Sequence, residues 1–342
     1  MFLRILQSTQ FRRHSTESAT RTCHKNLPQE PATRTRHKNP PQEPIMCTLV
    51  LSYRQHPNFP LIVASNRDEF YHRPAARASF WADQPDLLAG RDLQNGGTWL
   101  GITKSGRFSA LTNVRDMQSI RTDAPSRGDL VLSTLLHPSP GMAGLGSVSF
   151  SNQDSISDPD PDLDPISDQA QTQNPYPDAL HTIQAAAHQY NGFNLITGTL
   201  QQLYYYSNVH HQTEPLKPGT YVMSNAFLDT PWPKSVKTKT HFEALLRENR
   251  LDANDLFALM KDNETFPPEQ LPNTGLSKEM EIKLSSTFIH TETYGTRCTT
   301  LLKIDSQGRV WFSEKTYEQG EDAGTTTHEF SISANRPFDR SR

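Results

Sequence analysis

The chain has 342 residues, 34 Lys and Arg against 37 Asp and Glu, and a formal charge of −3 at pH 7. Residues 1–45 hold eight Lys or Arg against three Glu, which leaves the rest of the chain at −8 and argues against a nucleic-acid backbone as partner. Three cysteines, Cys23, Cys47 and Cys298, offer neither a disulfide framework nor the paired Cys/His spacing of a metal site. No apolar run reaches the 18 residues of a transmembrane helix.

The first 45 residues read as a disordered extension. Ala19–Pro31 (ATRTCHKNLPQEP) is repeated as Ala32–Pro44 (ATRTRHKNPPQEP), and two short polar copies cannot bury a core. The segment reads either as an organellar transit peptide, with Arg4, Arg12 and Arg13 among Phe2, Leu3, Ile5, Leu6 and Phe11, or as residues upstream of a start at Met46. The duplicated tract favours the second. A chain that starts at Met46 and loses that methionine begins at Cys47, with a thiol and an α-amine on one residue, so that the amine can serve as the thiol's base.

From Met46 the pattern predicts strands. Met46–Tyr53 is one, Leu61–Ser65 a second that delivers Asn66, Arg67, Asp68 and Glu69 at its end, and Phe108–Asn113 another. Arg127–Leu136 predicts a helix capped by Ser126. Residues 147–178, with seven Asp and no Lys or Arg, read as a disordered acidic insertion. Asp178 is expected to cap a helix over Ala179–Tyr190. A hairpin follows, with Phe193–Thr197 and Gln202–Tyr206 as its arms, and then a strand at Tyr221–Ser224. Helices are predicted over His241–Arg247 and Asp255–Lys261, and strands over Phe288–Thr291, Thr299–Ile304 and Val310–Ser313. Strands, then helices, then strands again predict an α+β domain of antiparallel sheets covered by helices, over residues 46–317, with a polar tail at 318–342.

Nine strings occur in order: MCTLVL from Met46, ASNRDEF from Ala64, AGRDL from Ala89, GGTWLG from Gly96, ALTNVR from Ala110, SRG from Ser126, GFNLI from Gly192, SNAFLDTPWPK from Ser224 and YGTRCTTLL from Tyr294. Together they resemble the NRDE family, also called the transport and Golgi organization protein 2 family. That family in turn resembles N-terminal-nucleophile cysteine hydrolases with an αββα sandwich of two antiparallel sheets flanked by helices. The resemblance implies a role in Golgi organisation and protein secretion, and in lipid or haem homeostasis. The cleft around Cys47 would act on or bind a small acylated or apolar metabolite.

The implied enzyme is an amide or thioester hydrolase with Cys47 as nucleophile, Arg67 and Asp68 beside it, Asn194 in an oxyanion hole and Arg297 nearby. Asn66, Glu69, Asn113 and Trp99 would hold the ligand. The alternatives are a non-catalytic carrier of haem or another metabolite, and a secretory-pathway scaffold. No cofactor is required on this reading, and haem enters as cargo. The partner is a small molecule, with protein partners unspecified. The expected location is the cytoplasm, with the mitochondrion or a Golgi-associated site as alternatives.

Overall fold

The computed structural model describes residues 46–137 and 176–333. The 1–45 extension and the acidic insertion up to residue 175 lie outside the described residues. In chain order the elements are β1 (Met46–Tyr53), β2 (Leu61–Phe70), β3 (Ala75–Phe80), β4 (Leu87–Asp92), β5 (Leu100–Thr103), β6 (Phe108–Asn113), α1 (Gly128–Leu136), α2 (Tyr176–Ala186), β7 (Phe193–Gly198), β8 (Leu203–Ser207), β9 (Gln212–Pro215), β10 (Gly219–Met223), α3 (Pro233–Glu248), α4 (Ala253–Met260), α5 (Lys278–Lys283), β11 (Tyr294–Ile304), β12 (Arg309–Glu318) and β13 (Glu321–Ser331). They form two antiparallel sheets, one ordered β10-β1-β2-β11-β12-β13 and the other β3-β4-β5-β6-β7-β8-β9.

The layering follows from side-chain alternation along the strands. Leu49, Leu51, Leu61 and Val63 of the first sheet meet Leu88, Ile102, Phe108 and Ile196 of the second in one buried core. Their neighbours Val50, Ile62 and Ala64 point the other way, onto Phe242 of α3 and Leu256 and Met260 of α4. On the far side of the second sheet, Leu87, Leu111 and Leu195 pack on Leu130 and Leu135 of α1 and Ile183 of α2. The result is the expected αββα sandwich. Strands buried on both faces also explain why LIVAS reads as a continuous apolar run rather than an alternating one. Among the described residues, no helix is long and apolar enough to cross a membrane.

Several boundaries differ from expectation. The strand carrying LIVAS continues to Phe70, because β1 pairs with it as far as Asp68 and β11 as far as Phe70. The expected strand at Phe288–Thr291 reduces to one bridge, between His290 and Gly295. There Phe288 instead donates its N–H to the Asp262 carbonyl, at 2.7 Å. α3 starts earlier than expected, with Pro233 at a first-turn position where its missing N–H costs nothing. α1 is capped at Arg127 rather than Ser126. α2 begins at Tyr176, inside the segment assigned to the acidic insertion, and gives way to a 3₁₀ turn at Ala187–Gln189. The polar-tail boundary at 318 also moves, since β13 pairs with β12 along its length. Its three consecutive threonines suit a strand, and its polarity suits an edge where one face meets water.

Gly90 on β4 leaves room for the ring of Trp99, which precedes the neighbouring strand β5. A Cβ there would lie 2.4 Å from two ring atoms of Trp99. Gly90→Ala is therefore expected to force the indole aside at a cost of about 1–3 kcal/mol. Chemical denaturation measures it, and an unchanged midpoint would mean that the ring is free to move.

Candidate functional site

The register of three strands assembles one row of side chains. Cys47 on β1 is paired with Arg67 on β2, and Arg67 with Cys298 on β11, just past a β-bulge between Thr296 and Cys298. Cys47 and Cys298 stand two strands apart, roughly 9–10 Å at the usual spacing. That is beyond disulfide reach, and both are free thiols.

Asn66, Arg67, Asp68 and Glu69 lie within β2, so they alternate. Arg67 and Glu69 face the second sheet, and Asn66 and Asp68 face the helices. Arg67, Glu69 and Cys47 line a cleft with a volume of about 100 Å³, together with Trp99, Asn113, Arg73, Asp92, Leu111 and the segment from Ala124 to Gly128 that leads into α1. That volume holds several waters or the head of a small molecule. Arg67 lies over the Trp99 ring at 4.5 Å. Its Nη2 reaches Asp92 Oδ2 at 3.4 Å and Glu69 Oε2 at 3.5 Å. Arg73 Nε contacts the same two oxygens, at 2.7 Å and 3.5 Å. Asp92 in turn accepts the backbone N–H groups of Gln94 and Asn95. The cleft wall is thus a buried network of two arginines and two carboxylates, in which every charge has an opposite neighbour.

Four of the expected site residues do not line the cleft. Asn66 is fully buried. Its amide donates to the carbonyls of Met260 and Thr287 at 2.8 and 2.9 Å, and its oxygen accepts from Thr299 Oγ1 at 2.6 Å. It ties the sheet to the end of α4 and to the segment before β11, and no donor is left for a ligand. Asn194 is equally committed: it donates to the Ala226 carbonyl and Thr112 Oγ1 and accepts from the Tyr205 hydroxyl at 2.8 Å. Arg297, at the bulge, donates to the carbonyls of Phe70 and Arg73 at 2.7 and 3.0 Å, and so holds the turn after β2. Asp68 accepts from Thr296 Oγ1 at 2.6 Å and faces Lys234 of α3. Burial raises the Asp68 pKa and lowers that of Lys234. Asp68 still touches the site through its main chain, whose N–H is hydrogen-bonded to the Cys47 sulfur.

Arg73, Asp92, Arg127 and Lys234 were not among the expected site residues. Asp92, Arg127 and Lys234 sit inside AGRDL, SRG and SNAFLDTPWPK, the same strings that carried the resemblance. No signal of that kind marked Arg73.

The Cys47 thiol is neutral in this chain. Burial is the main cause and the nearby Asp68 carboxyl adds to it, while the Asp68 N–H and Arg67 pull the other way. The net effect pushes the thiol up to about 12 from an ordinary 9.0. Cys298 is driven up as well, by burial and then by Glu314. Three pH units leave about a thousandth of the ordinary thiolate. Alkylation of Cys47 by iodoacetamide in the full-length folded chain is therefore expected to run roughly a thousandfold slower than in the urea-unfolded chain. Peptide mass spectrometry over a time course measures this. Folded and unfolded rates within tenfold of each other would contradict it.

Comparison with known proteins gives the chain its family. The family model described as Transport and Golgi organisation 2 matches residues 46–319. The Bos taurus Transport and Golgi organization protein 2 homolog is 33% identical over 311 residues, 84% of this chain and 99% of the relative. The Homo sapiens homolog is 31% identical over the same shares. The Drosophila melanogaster Transport and Golgi organization protein 2 is 26% identical over 299 residues, 79% of this chain and 92% of the relative. Among solved structures, a mutant conjugated bile acid hydrolase from Clostridium perfringens aligns with a TM-score of 0.38 at 8% identity, covering 84% of this chain and 92% of that one. At that score the likeness carries no chemistry over.

Proposed function

Because the chain belongs to the Transport and Golgi organisation 2 family, we propose that it acts in Golgi organisation, secretion and lipid or haem homeostasis, and that it does so through the Cys47 cleft. The cleft binds a small metabolite that carries an acyl group. The observation that carries this reading is Cys47 in the cleft lining together with Arg67, Trp99 and Asn113.

In a chain that begins at Cys47 the α-amine takes the thiol proton as sulfur bonds to the acyl carbonyl carbon. The tetrahedral oxyanion then collapses, and the amine or thiol leaving group departs with the proton that the α-amine returns. A thioester remains on Cys47. Water attacks it, gives its proton to the α-amine and releases the carboxylic acid, while the sulfur regains a proton. The oxyanion draws on the Asn113 side chain and on backbone N–H groups at the cleft.

The raised thiol favours a second reading for any chain that keeps residue 46. There the nitrogen of Cys47 is an amide and no base, and among the described residues no histidine lines the cleft. Such a chain holds its ligand without turning it over and acts as a carrier, with haem among its cargoes. A cytoplasmic location, with mitochondrial or Golgi association, belongs to the same proposal.

The test is paired. Purified protein is titrated with haem and, separately, incubated with a panel of acyl amides and thioesters. Turnover that Cys47→Ala abolishes supports the hydrolase. Stoichiometric binding without turnover supports the carrier. The absence of both turnover and binding would remove the cleft from the protein's function.

A further inference from the structure

We infer that the part of the cleft at the N-terminus of α1 is a carboxylate-binding subsite, in which Arg127, the first N–H groups of α1 and Arg67 hold a singly charged oxyanion of the ligand beside Cys47. It rests on the reading of the cleft as a ligand site, and it specifies what the ligand carries.

Ser126, Arg127 and Gly128 all line the cleft, so the nine-residue α1 starts at its wall. No side chain caps that start with a hydrogen bond of ordinary length. The N–H of Gly128 reaches Ser126 Oγ only at 3.4 Å, and that of Asp129 reaches the Ser126 carbonyl at 3.3 Å, both beyond the usual range. A helix start with weakly held N–H groups favours a negative oxygen. Arg127 donates through Nη1 to the Gly192 carbonyl at 2.9 Å, and among the described residues no carboxylate lies within ion-pair distance of it. Burial lowers it to about 10, which still leaves it a cation at neutral pH, and the groups it feels most are Cys47, Glu69 and Arg73. Its charge therefore acts next to the thiol.

A second observation comes from Arg67. Its side chain is only 5% exposed, and Nη2 makes both of its carboxylate contacts. Nη1 is buried with no hydrogen-bond acceptor. A buried guanidinium N–H without an acceptor is costly and unusual, and an oxygen brought into the cleft would remove that cost. The charge count sets the class. Three arginines, Arg67, Arg73 and Arg127, face two carboxylates, Glu69 and Asp92. Among the side chains that line the cleft one positive charge is left over, which a carboxylate balances and a phosphate dianion overshoots. The planar guanidinium fork also matches a carboxylate.

The experiment uses the full-length protein at low ionic strength, with butyrate, its neutral isostere butyramide and inorganic phosphate as probes in calorimetric titrations. Butyrate is expected to bind at least tenfold tighter than butyramide or phosphate. Arg127→Gln should weaken butyrate at least tenfold. On the wild type, butyrate should protect Arg127 from phenylglyoxal, read by peptide mass, which keeps the test open if the variant misfolds. Equal binding of butyrate and butyramide, or no protection, overturns the subsite, and tighter phosphate binding overturns the carboxylate assignment. Cys47-dependent turnover without butyrate binding removes this inference alone. Butyrate binding without turnover removes only the acyl-transfer reading.

Discussion

Arg67→Ala is expected to cost about 3–5 kcal/mol of stability and to abolish ligand binding in the cleft. Arg67 sits within an ion network with Glu69, Asp92 and Arg73, with side-chain exposures of 5%, 3%, 11% and 12%. Removing it strips a charge partner from two carboxylates that stay out of water and leaves Trp99 without the guanidinium stacked on it. Arg73 still contacts both oxygens, which places the cost nearer the lower figure. Lysine does not restore the geometry, because an ammonium can neither stack flat on the indole nor reach two acceptors in one plane. Urea denaturation measures the stability change and titration of the folded variant measures binding. A loss under about 1 kcal/mol would show that the network is solvated after all.

Asn66→Ala, one residue away, is expected to cost about 3 kcal/mol while leaving cleft binding per folded molecule unchanged. The substitution removes three hydrogen bonds from a site with no exposure. The carbonyls of Met260 and Thr287 lose their donor and the Thr299 hydroxyl its acceptor. Each group left unsatisfied costs about 1–3 kcal/mol, and partial relaxation holds the total towards the low end of the sum. Loss of ligand affinity in the folded Asn66→Ala protein would mean that the helix face and the cleft face of β2 are coupled more tightly than their separation by the sheet implies.

The contrast between these neighbours shows what could be read from the sequence. Strands and helices were legible because apolar runs such as Leu61–Ala64 and caps such as Asp252, whose side chain accepts from the Asp255 N–H, are local signals, whereas the two-sheet sandwich came from the family resemblance. Asn66–Glu69 was legible as a special segment but not as an arrangement. It reads as a polar group at a strand's end, whereas the strand runs on to Phe70. A two-residue period then sends Arg67 and Glu69 to the cleft and Asn66 and Asp68 to the helices.

Arg297 was misplaced for a related reason. The bulge beside it shifts the register of β11, and no residue type announces a bulge. Asn194 is held by Ala226, 32 residues away, and by Tyr205. Those partners depend on the tertiary fold. Arg127 reads as an ordinary helix start until the cleft opposite it is known.

On the proposed function, the Cys47 cleft binds an acyl-bearing ligand and gains chemistry only when Cys47 is the first residue. The most direct test compares the full-length chain with a chain beginning at Cys47. Both are mixed with the same acyl thioester panel, quenched within one turnover, and their intact masses are measured. A transient acyl adduct on Cys47 and multiple turnover are expected in the short chain, and binding without an adduct in the long one. Equal adduct and turnover in both chains, or turnover that survives Cys47→Ala, would contradict it.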